Sequence, residues 1–463
     1  MSESSSLTRR QFGCSIGGAF LSSRLLGADP STPWMGPATV RKVYLAVPKP
    51  SWPRPDIDIQ SEKAELEATL AQLERKHAGV VRLTGGDLIR TLEDAQALVK
   101  GLGEVDGVLL VDLTSQTSPL LRPLQDIQVP VLLFARPYSG WSYVDVVHWL
   151  QSGRKADLVV TSEAGDLDPY MRIFQTIHHL RASKVLVVNT TGSDSHAAAF
   201  NRQFGTAFAF PSYADLKAAV DAADRAKAQA AAAEFTRGAL KVIEPSSQEI
   251  TGALRFYLAV STMLEQEKAN AITIDCLGGF KRGDLTDYPC VAWSKLNDRG
   301  LYGVCEGDVL STMSQLLLTS FSGKPGFVSD PVFDTSRNEI IHAHCVAATA
   351  MQGIGGPSSP YIIRSHMEDN KGVSMQVMLP IQDTITVCKF LDPATFGVST
   401  GEVMGNVDNP RGCRTKIRTR VANARKMLEG YRGALHRVIF YGDYLRPIDQ
   451  MSHLMGFKVV HEG

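Results

Sequence analysis

Four short stretches place acids or imidazoles at the ends of apolar runs, where a side chain can be held firmly and still meet a ligand. In Val304-Cys305-Glu306-Gly307-Asp308 an acid sits between a buried-looking run and the start of a helix. Free N–H groups and the helix dipole favour negative charge there, and a plain helix cap is the bland alternative. In Phe327-Val328-Ser329-Asp330-Pro331 an acid follows a short apolar strand, the place where open α/β sheets present functional groups, and Pro331 keeps the chain extended. In Ile340-Ile341-His342-Ala343-His344-Cys345-Val346 two histidines two apart share one face of a strand, so one could ligate a metal while the other lines a pocket or caps an edge. His436 stands at the mouth of the apolar strand Arg437–Tyr441, followed by Gly442-Asp443. Singly, each reads as readily as a cap, a turn or a satisfied core histidine. Together, two carboxylates and one or two imidazoles form a mixed oxygen–nitrogen set. Such a set suits Mn2+ or another hard-to-borderline divalent ion better than a thiolate site would. The carboxylates could also transfer protons, because a divalent ion acidifies a bound hydroxyl and activates the C–H beside a bound carbonyl.

The elements that must position these residues follow from hydrophobic periodicity. From residue 41, short β-branched runs alternate with longer helical ones: Val43–Val47, then an amphipathic helix Ser61–Lys76, Val80–Leu83, and a helix near Leu92–Leu102 opened by the Thr91/Asp94 capping pattern. Gly107–Val111 and Val131–Phe134 are continuous apolar runs, as strands covered on both faces require, and Leu158–Val160 closes the series. Such alternation predicts βαβ crossovers in a parallel, doubly wound sheet. A second series begins at Lys184–Val188. It predicts one long Ala-rich helix over Tyr213–Arg237, another over Glu249–Glu265, a strand at Ala271–Ile274, a helix Gly307–Ser322 and a short strand Gly326–Ser329. After about residue 337, short strands separated by Gly, Pro, Asn and Asp argue an antiparallel region or small barrel. The expected class is α/β, with two Rossmann-like doubly wound domains (41–180 and 181–336, the second carrying the carboxylates). A C-terminal β-rich, barrel-like domain follows over 337–463.

Bulk properties narrow the function classes. The chain has 463 residues with Lys+Arg and Asp+Glu both at 48, so no net field favours nucleic acid or an anionic membrane. Ser6-Leu7-Thr8-Arg9-Arg10-Gln11-Phe12, a mild apolar run from Gly13 to Leu21, and Leu26-Gly27-Ala28 resemble a twin-arginine export signal over residues 1–30. Nothing later reaches the ~18 apolar residues of a membrane span, so a soluble exported protein, periplasmic if the signal is used, is expected. Beyond Cys14, the six cysteines Cys276, Cys290, Cys305, Cys345, Cys388 and Cys413 form no CxxC pair, which excludes a zinc ribbon; most read as buried thiols. No GxGxxG follows a strand, and Gly278–Gly283 has the wrong spacing for a dinucleotide loop.

From Asp287 onward the chain resembles the L-fucose isomerase / L-arabinose isomerase superfamily. The matching text is Pro289-Cys290, Leu296-Asn297-Asp298, Cys305-Glu306-Gly307-Asp308, Gly323-Lys324-Pro325, Asp330-Pro331, His344-Cys345, Tyr361 with Arg364-Ser365-His366, and Gly442-Asp443. The interval from Glu306 to Asp330 is similar to the fucose type. The N-terminal half matches in pattern only. The resemblance implies Glu306 and Asp330 as metal-binding carboxylates that also shuttle the proton, His436 as the C-terminal histidine ligand, and His344 as a fourth ligand found in arabinose-type members. It implies Arg364, His366 and Asp308 as contacts to a small sugar, a divalent ion such as Mn2+, and a homo-oligomer whose sites borrow from a neighbour. The reaction implied is aldose–ketose isomerisation through a cis-enediol. A non-catalytic exported sugar-binding protein and a metal-dependent sugar epimerase or lyase are the alternatives.

Overall fold

The computed structural model describes residues 36–463. The expected export signal, with Cys14, lies outside the described residues. The first unit has strands β1 (Ala38–Leu45), β2 (Val81–Ile89), β3 (Gly107–Asp112), β4 (Val131–Ala135) and β5 (Ala156–Val160). They form one parallel sheet in the order β2-β1-β3-β4-β5. Every residue of β3 and β4 is buried, which is why both read as unbroken apolar runs.

The second unit adds β6 (Lys184–Val188), β7 (Ala207–Ala209), the two-residue β8 (Lys241–Val242), β9 (Ala271–Ile274) and β10 (Tyr302–Val304). All but β8 form a parallel sheet in the order β10-β9-β6-β7. The Ala-rich stretch predicted as one helix is two, Tyr213–Ala222 and Arg225–Gly238. The break falls at Asp224, whose extended backbone lets its carboxylate accept the N–H groups of Ala226 and Lys227 and cap the second helix.

The remaining strands are β11 (Phe327–Asp334), β12 (Glu339–His344), β13 (Tyr361–Arg364), β14 (Ser374–Val377), β15 (Thr384–Asp392), β16 (Thr395–Asn406), β17 (Thr415–Arg420), β18 (Arg437–Tyr441) and β19 (Lys458–His461). Seven of them form a mostly antiparallel sheet, β15-β18-β11-β12-β17-β16-β19, and β15 also pairs with β16. The antiparallel C-terminal region is therefore present as expected. The expected boundary at 336 is not where the sheets divide. β11, which carries Asp330, pairs with β12 and β18 and so belongs to the C-terminal sheet. β8 likewise crosses that boundary, joining β13 and β14 in a small sheet.

One continuous apolar core runs from Leu66 and Phe134 through Trp293 to Phe440, packing the three regions together. Among the described residues no helix is long and apolar enough to cross a membrane. No disulfide is formed among them; five of the six cysteines are buried and Cys413 is half-buried.

Candidate metal centre

Two sheets meet at the acids. β10 ends at Val304, and the chain turns through Cys305 into Glu306, whose φ of +64° lies in the left-handed region that a glutamate avoids. Gly307 repeats that φ at +64° and donates its N–H to Ile274 O at 2.8 Å. The double turn leaves the Glu306 side chain 32% exposed and starts the helix Val309–Ser322, with Asp308 as its N-cap. Backbone strain of this kind persists where the surrounding structure imposes it, and it clusters at functional sites.

Asp330 and His436 arrive on neighbouring strands. Ser329 of β11 pairs with Arg437 of β18, so the next residues, Asp330 and His436, stand side by side at the ladder's end. His436 Nε2 lies 3.4 Å from Asp330 Oδ1 and 3.5 Å from Glu306 Oε2. His344, the last residue of β12, completes the group: its Nε2 is 3.8 Å from Glu306 Oε1, and its ring centroid is 5.5 Å from that of His436. Glu306, His344 and His436 offer ligand atoms all within 4.8 Å of one another. Asp330 Oδ1, His344 Nε2 and His436 Nε2 are buried without any hydrogen-bond partner. Orphaned buried polar atoms are costly; Asp330 Oδ1 stands outside the Glu306–His344–His436 group and meets it through His436 Nε2, so an ion held there could draw on both acids.

The two histidines differ in chemistry. His436 Nδ1 donates to Asp308 Oδ2 at 2.9 Å, which leaves Nε2 as the nitrogen facing the acids, the carboxylate–histidine arrangement that orients metal ligands. His344 Nδ1 instead accepts the backbone N–H of Cys345 at 2.8 Å. Its neutral ring then carries the proton on Nε2, turned toward Glu306, so in this orientation His344 offers a donor rather than an electron pair.

Charge follows the same geometry. Burial works against charge on His436, but the hydrogen bond to Asp308 and the nearby Glu306 carboxylate overcome it and lift its pKa to about 9. Burial and the neighbouring His436 hold His344 neutral, with a pKa lowered to about 3. Burial raises Asp330 to about 6, with His436 opposing and Glu306 adding to the rise. Glu306 and Asp308 end below the usual carboxylate range because contacts to His436, and for Asp308 also Lys389, outweigh their burial.

Of the expected sugar contacts, His366 lies close by. It sits on the loop after β13 with its ring 5.2 Å from that of Tyr288 and its Nδ1 3.4 Å from Asp369 Oδ1, near enough to bear on the charge of His344. Arg364 does not face the group. Its Nε and Nη2 grip Glu244 at 2.6–3.0 Å and its Nη1 donates to Gln376 Oε1 at 2.8 Å, which ties β13 to the segment before helix Ser247–Gln266. Asp308 is also corrected: its carboxylate is saturated by protein donors and stands behind His436. His342 stays out of the cluster, buried with its Nδ1 3.2 Å from Ser329 Oγ. Sequence reasoning missed Lys389, a fully buried lysine bonded to Asp308 Oδ2 at 2.6 Å. Its signal was a lone cation inside the apolar run Ile385–Phe390.

No family model matches the chain, and no curated protein matches it.

Proposed function

We propose that the chain is a metal-dependent aldose–ketose isomerase of the L-fucose isomerase / L-arabinose isomerase superfamily. It acts on a small sugar, with Mn2+ or another divalent ion held by Glu306, Asp330 and His436. The observation that carries this reading is the approach of His436 Nε2 to both carboxylates, at 3.5 and 3.4 Å, with no protein group satisfying it. In this reading the two parallel sheets are Rossmann-like doubly wound units. The C-terminal sheet, with its additional β15–β16 pairing, is barrel-like. The protein is exported to the periplasm as a folded homo-oligomer.

When bound, the divalent ion supplies Lewis acidity to the oxygens at the sugar's carbonyl end. The chain's own residues do the rest. One of the two carboxylates takes the proton from C2 while O1 gains one, giving a cis-enediol, and the pair then returns a proton to C1 while O2 gives up its own. Asp308 fixes the ring of His436 through Nδ1, and the Nε2 proton of His344 is placed to donate toward Glu306. His366, on its loop beside Tyr288, is positioned to meet a hydroxyl of the open-chain sugar.

Convergence of two acids on one imidazole favours an enzyme over a passive sugar-binding protein, which has no use for proton transfer. The test is incubation of purified protein plus Mn2+ with a panel of aldoses in deuterated water. Exchange at C2 with appearance of the ketose is the expected result. Exchange with return of a C2 epimer would reassign the site to an epimerase. No exchange with any sugar would exclude both.

A further inference from the structure

Lys389 sits in the middle of β15 between Cys388 and Phe390, both buried, and its side chain has no exposed surface. An ammonium is costly to bury unless it is paired. Its partner is Asp308 Oδ2 at 2.6 Å, the same oxygen that accepts His436 Nδ1 at 2.9 Å and the Ser311 hydroxyl at 2.7 Å. The other oxygen, Oδ1, accepts the Ser311 N–H at 2.9 Å. All four partners donate, so Asp308 serves them only as a carboxylate, and its anchorage at the helix N-terminus stops it from swivelling away.

We propose that Lys389 is a positioning residue of the metal centre: its ammonium pins Asp308 Oδ2 where that oxygen meets His436 Nδ1, so that the His436 ring keeps Nε2 turned toward Glu306 and Asp330, where the cation would be held. This rests on the metal-centre part of the functional reading, and not on which sugar reaction the centre performs. The charges fit it. Glu306, Asp308 and Asp330 bring three carboxylates to the site, and a divalent ion together with one ammonium neutralises them. Without Lys389 only the Ser311 hydroxyl and His436 itself would hold Oδ2 in place, and a shift of that oxygen would free the His436 ring to rotate.

The experiment uses the full chain, freed of metal, with Mn2+ binding followed by the electron paramagnetic resonance signal of the free ion. Lys389→Met keeps the reach of the side chain and removes the charge; it should weaken Mn2+ binding tenfold or more, the scale on which partners behind a metal ligand act. Asp308→Asn should weaken it similarly. Because Lys389 is argued to act through Asp308, the double variant should bind no more weakly than Asp308→Asn alone. Lys389→Arg, which keeps the cation, should stay within about threefold of wild type by the same coupling argument. If Lys389→Met does not fold, the contrast between Lys389→Arg and the neutral Lys389→Gln carries the test. Wild-type affinity in a folded neutral variant, or losses that multiply in the double variant, would overturn the proposal. A chain that binds Mn2+ with this pattern but isomerises no sugar would leave it standing and sink only the assigned reaction.

Discussion

Two aspartates mark the carboxyl ends of the two parallel sheets, and they have opposite fates. Asp112 ends β3 in the first sheet; Asp308 follows β10 in the second. Asp112 is 1% exposed and accepts only neutral donors, the Ser142 N–H at 3.1 Å and the Thr117 hydroxyl at 3.4 Å. Burial pushes its pKa up to about 6. Asp308 is held well below the usual range because two of its donors, Lys389 and His436, are cations. The two pKa values therefore shift in opposite directions, decided by the charge of the donors. The surroundings match. Over Asp112 the chain closes tightly, since a Cβ on Gly140 would come within 2.5 Å of Asp112 Oδ2. Beside Asp308, His436 carries an unpartnered Nε2 3.4 Å from Asp330 Oδ1, and its ring lies 5.5 Å from that of His344. One edge is sealed, and at the other an acid and two imidazoles approach one another.

The strongest way to break this contrast is to find a metal at the wrong edge, or none at the right one. Glu306→Gln and His436→Ala should each lower Mn2+ affinity on the order of a thousandfold, about 4 kcal/mol, and abolish sugar exchange. Asp112→Asn should leave Mn2+ affinity at the wild-type value. Isothermal titration with Mn2+ across the three variants reads both halves. Equal losses at both aspartate-bearing edges would erase the distinction.

Asp112 makes a second prediction through pH. Its pKa in the folded chain, about 6, lies above the ordinary 3.8, so the folded state holds the proton more tightly than the unfolded one. The stabilisation this provides is fully present below about 3.8 and is lost as pH climbs through about 6. Asp112→Asn cannot titrate. Relative to wild type it should gain stability between pH 4 and pH 7, by at most about 3 kcal/mol. Urea unfolding at both pH values checks the sign, and a pH-independent difference would show that Asp112 is already ionised in the fold.

What could be read from the sequence followed the same divide between local and distant causes. Glu306, Asp330 and His436 could be singled out because each stands at one end of an apolar run, and sequence alone marks where such runs start and stop. The Asp224 break was also local, yet the alanines around it concealed it by supporting helix on both sides. The roles of Arg364 and Asp308 were not legible. Arg364 is consumed by Glu244, and Asp308 by Lys389 and His436, partners that only the folded chain brings near. The strand β11 was placed in the wrong unit for a related reason: its neighbours β12 and β18 are fixed by register, which a local pattern does not encode. The Gln382 turn shows the limit from the other side. Its φ of +61° is adopted without the glycine that such a turn usually carries.

Within the centre itself, the two histidines sharpen the comparison between a ligand and a neighbour. His344 presents a protonated Nε2 because Nδ1 is occupied by the Cys345 N–H. His344→Gln, which keeps a donor, should cost Mn2+ affinity no more than about tenfold, or 1.4 kcal/mol, far less than His436→Ala. A thousandfold loss would mean that the His344 ring turns over to ligate the ion and that the cluster is four-coordinate from protein alone.

The smallest expected effect tests the sealed edge. Beside Asp112, Trp52 stacks on Trp141 with ring centroids 5.6 Å apart and lies 6.2 Å from Tyr138. Trp141 is 51% exposed and Tyr138 is 77% exposed at a φ of +71°. The rings cover the loops after β1 and β4 but touch none of the metal-centre residues. Trp141→Ala should therefore cost about 1 kcal/mol of folding stability, the worth of one partly exposed aromatic pair, and leave Mn2+ affinity unchanged. Thermal unfolding and Mn2+ titration on the same preparation measure the two together. A loss of Mn2+ affinity in Trp141→Ala at unchanged fold would mean that the two edges communicate, and that the aromatic cover belongs to the same working site as the cluster it stands apart from.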